Sequence, residues 1–222
     1  MEDIAIIVAH PDDVAYGLSG TLLQLGTEFK LHVICATRGE RGLAGKKSMQ
    51  ETATIREKEE MAACKLLNAE LTFLDLIDRE VFADKTNSER LGAILTEIKP
   101  RAVFTIWSID CHPDHSAVSE LTKKALFLTN LDTELYFFEE SFGEQTTQFD
   151  PDIYVDISEV LERKLGIIRC HVCQNSNDRL AQSSIIQSAH RGLKCQVGYA
   201  EGFKVVAAHT VDKAKTIFDK IQ

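Results

Sequence analysis

The chain has no uninterrupted apolar run near the roughly 18 residues that a membrane-spanning helix needs, which excludes a helical membrane span. Positive charge is also in deficit: 25 Lys and Arg stand against 34 Asp and Glu, for a formal net charge of -9. A chain of that sign has no basic field for nucleic acid or an anionic membrane, so a small neutral or modestly anionic substrate is the expected partner. No basic segment precedes the first apolar run, which begins at Ile4, so no signal peptide is expected and the cytoplasm is the expected location. The six cysteines (Cys35, Cys64, Cys111, Cys170, Cys173, Cys195) are scattered rather than spaced as a framework, which predicts reduced thiols. Repeats, low-complexity tracts and linkers are absent, and 222 residues suit one domain, 1–222, with a full core.

What is present is organised around residues 4–21, I-A-I-I-V-A-H-P-D-D-V-A-Y-G-L-S-G-T. A continuous apolar run ends abruptly in His10-Pro11-Asp12-Asp13, after which Gly17 and Gly20 open a helix. A continuous run, rather than an alternating one, predicts a strand buried on both faces of a parallel sheet. Further strands are predicted at 31–37, 71–76, 102–107, 135–138, 153–155 and 203–207, with helices at 17–29, 48–67, 89–98, 116–129, 158–172 and 180–195. The alternation predicts an α/β, Rossmann-like three-layer sandwich with a mostly parallel sheet. The charged run Arg56-Glu57-Lys58-Glu59-Glu60 reads for the most part as the solvated face of the 48–67 helix, whose apolar side is Ala53, Ala63, Leu66 and Leu67.

The 102–107 strand ends in Ser108-Ile109-Asp110-Cys111-His112-Pro113-Asp114-His115, repeating the pattern of the first. In open α/β sheets, ligands bind outside the carboxyl ends of the strands, so both fragments lie where a site is expected. His10, Asp13 and His115 make three donors with room for a fourth position, the arrangement of a catalytic zinc; the same set also describes an Fe(II) site. Asp12 is placed to take a proton from water, His112 to stabilise an oxyanion as an imidazolium, and Asp114 to orient an imidazole. Cys170-His171-Val172-Cys173 falls within a predicted helix and has no second pair, so it reads as packing. His32, His190 and His209 read as structural or surface, and Glu201 as a helix cap or a loop anchor near the site.

These motifs resemble those of the PIG-L/LmbE-like superfamily of metal-dependent N-acetylglucosaminyl deacetylases, which share a strand-end A-H-P-D-D and a later H-P-D-H. Both stand intact here, at Ala9 to Asp13 and His112 to His115. Gly17, Gly20-Thr21, Thr37-Arg38-Gly39, Arg56 with Glu59, and Ala200-Glu201-Gly202-Phe203 match further family elements along nearly the whole chain. The length and motif order are most similar to bacillithiol-pathway deacetylases acting on N-acetylglucosaminyl malate. One departure is Ala15, where that subgroup commonly has Glu after the Val at position 14. The resemblance implies zinc on His10, Asp13 and His115, Asp12 as base, His112 as electrophilic partner, Arg56 on the substrate, and a homo-oligomer such as a hexamer. Alternatives are another acylated amino-sugar (a chitooligosaccharide or a thiol conjugate), an Fe(II) oxygenase, and a non-catalytic metal-binding protein.

Overall fold

The computed structural model describes residues 1–140, 145, 148–205 and 216–221. In chain order it runs β1 (Glu2–Val8), α1 (Asp13–Gly17), α2 (Ser19–Leu25), β2 (Phe29–Thr37), α3 (Met49–Leu67), β3 (Ala69–Leu76), α4 (Lys85–Ile98) and β4 (Ala102–Ile106). There follow α5 (Pro113–Thr129), β5 (Glu134–Phe138), β6 (Ile153–Asp156), α6 (Leu161–Ile168), α7 (Arg179–Cys195) and β7 (Ala200–Val205). Short 3-10 turns lie at Ser158–Val160, Ser176–Asp178 and Ile217–Lys220.

The seven strands form one sheet in the order β3-β2-β1-β4-β5-β7-β6. The first five run parallel, while β7 pairs antiparallel with both β5 and β6. β1 is central, and its apolar run shows why: Ile4 to Val8 are completely buried, with Ile4 in register with Leu31 on one side and Ala102 on the other. The chain builds outward from β1 through β2 to β3, then returns to lay β4 on β1's other edge. The carboxyl ends of β1 and β4 therefore flank the point where strand order reverses, the position at which such sheets open a crevice. α4 packs on α5, and α2 and α3 pack with α6, which gives helices on both faces and the expected three-layer α/β architecture. Among the described residues no helix is long and apolar enough to cross a membrane.

Four expectations change. The helix predicted at 17–29 is two short helices broken at Leu18 (φ -147°), and the first already starts at Asp13, inside the motif. The helix expected from 116 likewise starts at Pro113, with His112 as its N-cap; proline suits the first helical turn because it has no amide to leave unpaired. The helix predicted at 158–172 ends at Ile168, so Cys170 to Cys173 lie in a turn, not in a helix. In α3, Leu66 faces solvent, whereas Arg56 and Glu60, taken from a charge run, are 5% and 1% exposed. The last predicted strand is β7; Val206 and Ala207, like His209, lie outside the described residues.

The break at Leu18 is held from the far end of the chain. Glu201 on β7 accepts the amides of Gly20 (3.0 Å) and Thr21 (2.7 Å) at the start of α2. Lys164 on α6 meets Glu201 at 2.5 Å and donates to the carbonyl of Tyr16, in α1, at 2.7 Å. Glu201 is thus a helix cap. A buried carboxylate and a buried ammonium satisfy each other and the backbone groups that two abutting helices leave open. His32 is structural as read, clamping Asp3 of β1 (2.6 Å) and Glu70 of β3 (3.2 Å) across the sheet, and His190 is on the surface.

Candidate active site

At the end of β1 the chain turns sharply through Asp12, whose φ of 105° is a left-handed conformation that few non-glycine residues adopt. The turn lets Asp13 fold back: its Oδ2 accepts the amides of Ala9 and His10, each at 2.9 Å. Its other oxygen, Oδ1, then faces the imidazoles, 3.8 Å from His10 Nδ1 and 3.6 Å from His115 Nε2, while those two nitrogens lie 3.2 Å apart. Three donors each about 2.0–2.1 Å from one tetrahedral ion stand roughly 3.3–3.4 Å from one another, so this triangle is close to the size at which three donors can share one metal ion.

The far nitrogen of each ring is held by carboxylates. His10 Nε2 lies 3.2 Å from Asp114 Oδ2 and 3.4 Å from Asp78 Oδ1, and His115 Nδ1 lies 2.9 Å from Asp110 Oδ2. Such partners fix ring orientation and raise donor basicity. Burial by itself would strip the proton from each ring, yet the surrounding carboxylates outweigh it, Asp114 and Asp78 raising His10 to about 10 and Asp13 and Asp110 raising His115 to about 9. Two buried nitrogens at 3.2 Å in an environment that demands positive charge fit one shared cation.

Asp12 lies beside this triangle. Its Oδ1 accepts from Arg56 at 3.0 Å and its backbone amide donates to Glu60 Oε2 at 3.1 Å. Burial lifts its carboxyl to about 6 against the lowering pull of Arg56, a value matched to proton transfer near neutrality. Arg56 lines the cavity, and its two terminal nitrogens donate to Asp12, the Pro11 carbonyl (2.5 Å) and the Gly39 carbonyl (3.1 Å), while its buried Nε–H has no partner among the described residues. His112 is half-buried, edge-on to His10 and stacked on His115 with ring centroids 4.6 and 4.8 Å away. Its Nδ1 accepts the Asp114 amide at 3.3 Å, and burial with the two neighbouring imidazoles lowers its pKa. With Nδ1 turned to that amide, Nε2 is the ring atom placed to donate into the cavity.

Besides Asp110, three carboxylates around the site escaped the sequence reading. Asp78 follows β3, Glu60 hides in the charge run of α3, and Glu140 follows β5, with Oε2 3.5 Å from His115 Nδ1 and burial raising it to about 8. Gly42, Arg79 and Gln174 complete a cavity of about 270 Å³. His171 is buried behind it, 3.6 Å from Glu60, and burial lowers it to about 3.

The pattern of the GlcNAc-PI de-N-acetylase family (PIG-L) matches residues 5–126, more than half of the 222, and takes in both motifs. The 4-oxalmesaconate hydratase of Pseudomonas putida is 26% identical over 74% of this chain and 71% of its own. The probable N-acetyl-alpha-D-glucosaminyl L-malate deacetylase 2 of Bacillus subtilis is 28% identical over 78% of this chain and 83% of its own. Among solved structures, the N,N'-diacetylchitobiose deacetylase of Pyrococcus horikoshii superposes with a TM-score of 0.82 at 25% identity, covering 92% of this chain and 84% of that one. With sheet order, both strand-end motifs and the family pattern in agreement, the chain belongs to the GlcNAc-PI de-N-acetylase family.

Proposed function

We propose that the chain is a metal-dependent hydrolase that removes the acetyl group from an N-acetylglucosamine-type substrate, with N-acetylglucosaminyl malate as the first substrate to test. The observation that carries the reading is the triangle of His10 Nδ1, Asp13 Oδ1 and His115 Nε2 with the carboxylate of Asp12 beside it. Zinc, or Fe(II), held by those three donors would lower the pKa of water and polarise the acetamide carbonyl.

The protein's own groups do the rest. Asp12 takes the proton of the attacking water as its oxygen bonds to the carbonyl carbon. The Nε2–H of His112 donates to the oxyanion that forms. The C–N bond then breaks, the proton held by Asp12 passes to the leaving nitrogen, and acetate and the free amine result. Asp114 and Asp78 hold His10, and Asp110 holds His115, so that the donors do not turn as charge moves.

The test is amine release from N-acetylglucosaminyl malate by zinc-loaded protein, with Asp12→Ala as control. Release that falls by about 10²–10⁴-fold in the variant, at unchanged metal content, supports the reading. Absence of release from protein holding one metal per chain refutes this substrate, and full activity in the variant refutes the role of Asp12. The Pseudomonas relative favours a second reading, addition of water to a carbon–carbon double bond at the same site. Loss of ultraviolet absorbance from an unsaturated dicarboxylate, without acetate release from any amide, would select it.

A further inference from the structure

We infer that Arg79 is the specificity-determining residue of this site, recognising a carboxylate on the part of the substrate that extends from the cavity mouth. The inference rests on the hydrolase reading only for the identity of the reacting amide. Arg79 lies in the turn between β3 and α4 and lines the cavity. Its φ is 65°, a conformation that glycine would adopt without strain and an arginine does not adopt freely. That conformation is fastened into the site: the Arg79 amide donates to Asp114 Oδ2 at 2.6 Å, and the preceding residue, Asp78, reaches His10 Nε2 at 3.4 Å. The side chain therefore leaves from a backbone position tied to the groups that hold a metal ligand.

Neighbouring arginines already have partners. Arg56 is committed to Asp12. Arg38 pairs with Glu57 at 2.6 Å and Asp75 at 2.9 Å, and Arg41 pairs with Glu80 and the Asp78 carbonyl. The Arg79 guanidinium has an exposed side chain and, among the described residues, one contact: the Arg41 carbonyl at 3.5 Å, the outer limit of a hydrogen bond. The other basic groups of the cavity wall, His10, Arg56 and His115, are buried and His112 is half-buried, which leaves Arg79 as the exposed cation beside the acidic Asp12, Asp13, Asp78 and Glu140. A planar fork of donors is suited to two-point recognition of a carboxylate, and placing it at the rim leaves the inner cavity to the amide.

The experiment compares wild type, Arg79→Gln and Arg79→Lys, all zinc-loaded, on N-acetylglucosaminyl malate and on the neutral methyl N-acetylglucosaminide. The ratio of kcat/KM for the charged over the neutral substrate is expected to fall about 10- to 100-fold in Arg79→Gln, through KM, with partial recovery in Arg79→Lys. In parallel, calorimetric titration with L-malate is expected to show binding to wild type that weakens about tenfold or more in Arg79→Gln. An unchanged ratio, or malate binding indifferent to the variant, overturns the inference and leaves the hydrolase reading standing. Malate binding that depends on Arg79, in a protein that hydrolyses neither amide, supports it while overturning that reading.

Discussion

Replacing Arg56 with methionine removes the cation held 3.0 Å from Asp12 Oδ1 while keeping a long, unbranched side chain. The guanidinium favours the ionised carboxylate, so its loss raises the Asp12 pKa. An opposite charge at this range moves a carboxyl by about 1–3 units. Coulomb's law agrees with the upper end: about 4 kcal/mol at ~4 Å between charge centres and an effective dielectric of ~20, or about 3 units before any relaxation. From about 6 in the native protein, Asp12 would then titrate at roughly 7–9. At pH 7 the ionised fraction of the base falls by about 2- to 100-fold, and the deficit closes as pH rises past the new value. The assay is kcat/KM for amine release from pH 5 to 10 at saturating zinc, with circular dichroism to confirm folding. The acid limb of the profile should move upward. A limb that stays in place while KM rises refutes the reasoning and returns Arg56 to the substrate, as the family resemblance implies. Gly39→Ala offers a second route to the same end, because at φ 59° its Cβ would collide with the Arg56 guanidinium.

Three more outcomes are expected. Stripping metal with a chelator should lower the melting temperature by about 5–11 °C if the ion is normally present at 100 times its Kd, about 2.7 kcal/mol of linkage; His115→Ala should bind less metal and show little further response to the chelator. Gly17→Ala would place a Cβ 2.5 Å from the ring of Phe138, which is fully buried and cannot yield, so denaturant titration should show a loss of about 1–3 kcal/mol. Lys164→Met would leave Glu201 buried with only two amide donors, costing about 3–5 kcal/mol; the double variant Lys164→Met/Glu201→Gln should recover part of that, and no loss in the single variant would show the pair to be dispensable.

The sheet was legible because β1 and β4 have no alternation: strands buried on both faces must be apolar throughout, so the polar residues that end them stand out. His10, Asp12, Asp13, His112 and His115 could be grouped from sequence because each fragment packs several donors into a few positions at a strand end. Glu60, Asp78 and Glu140 could not. Each is one acid among ordinary surface acids, and only the fold turns Asp78 and Glu140 toward the imidazoles and Glu60 toward the Asp12 amide; for Glu60 the signal was masked by four charged neighbours on the same helix. The break at Leu18 was hidden for a related reason. Leu18, Leu22 and Leu25 keep helical spacing across it, and what divides the helices is a carboxylate at position 201, which no local pattern encodes.

That carboxylate bears on how much of the chain the centre needs. Every proposed donor lies within residues 5–126, the stretch that carries the family pattern, yet the junction just behind Asp13 is clamped by Lys164 and Glu201. A fragment ending at residue 126 would contain every proposed metal donor with Asp12 and His112, but neither Glu140 and Gln174 of the cavity wall nor the frame that aims the donors. The later third of the chain is thus a scaffold for a site written in the first half, and its substitutions can reach the chemistry without touching it.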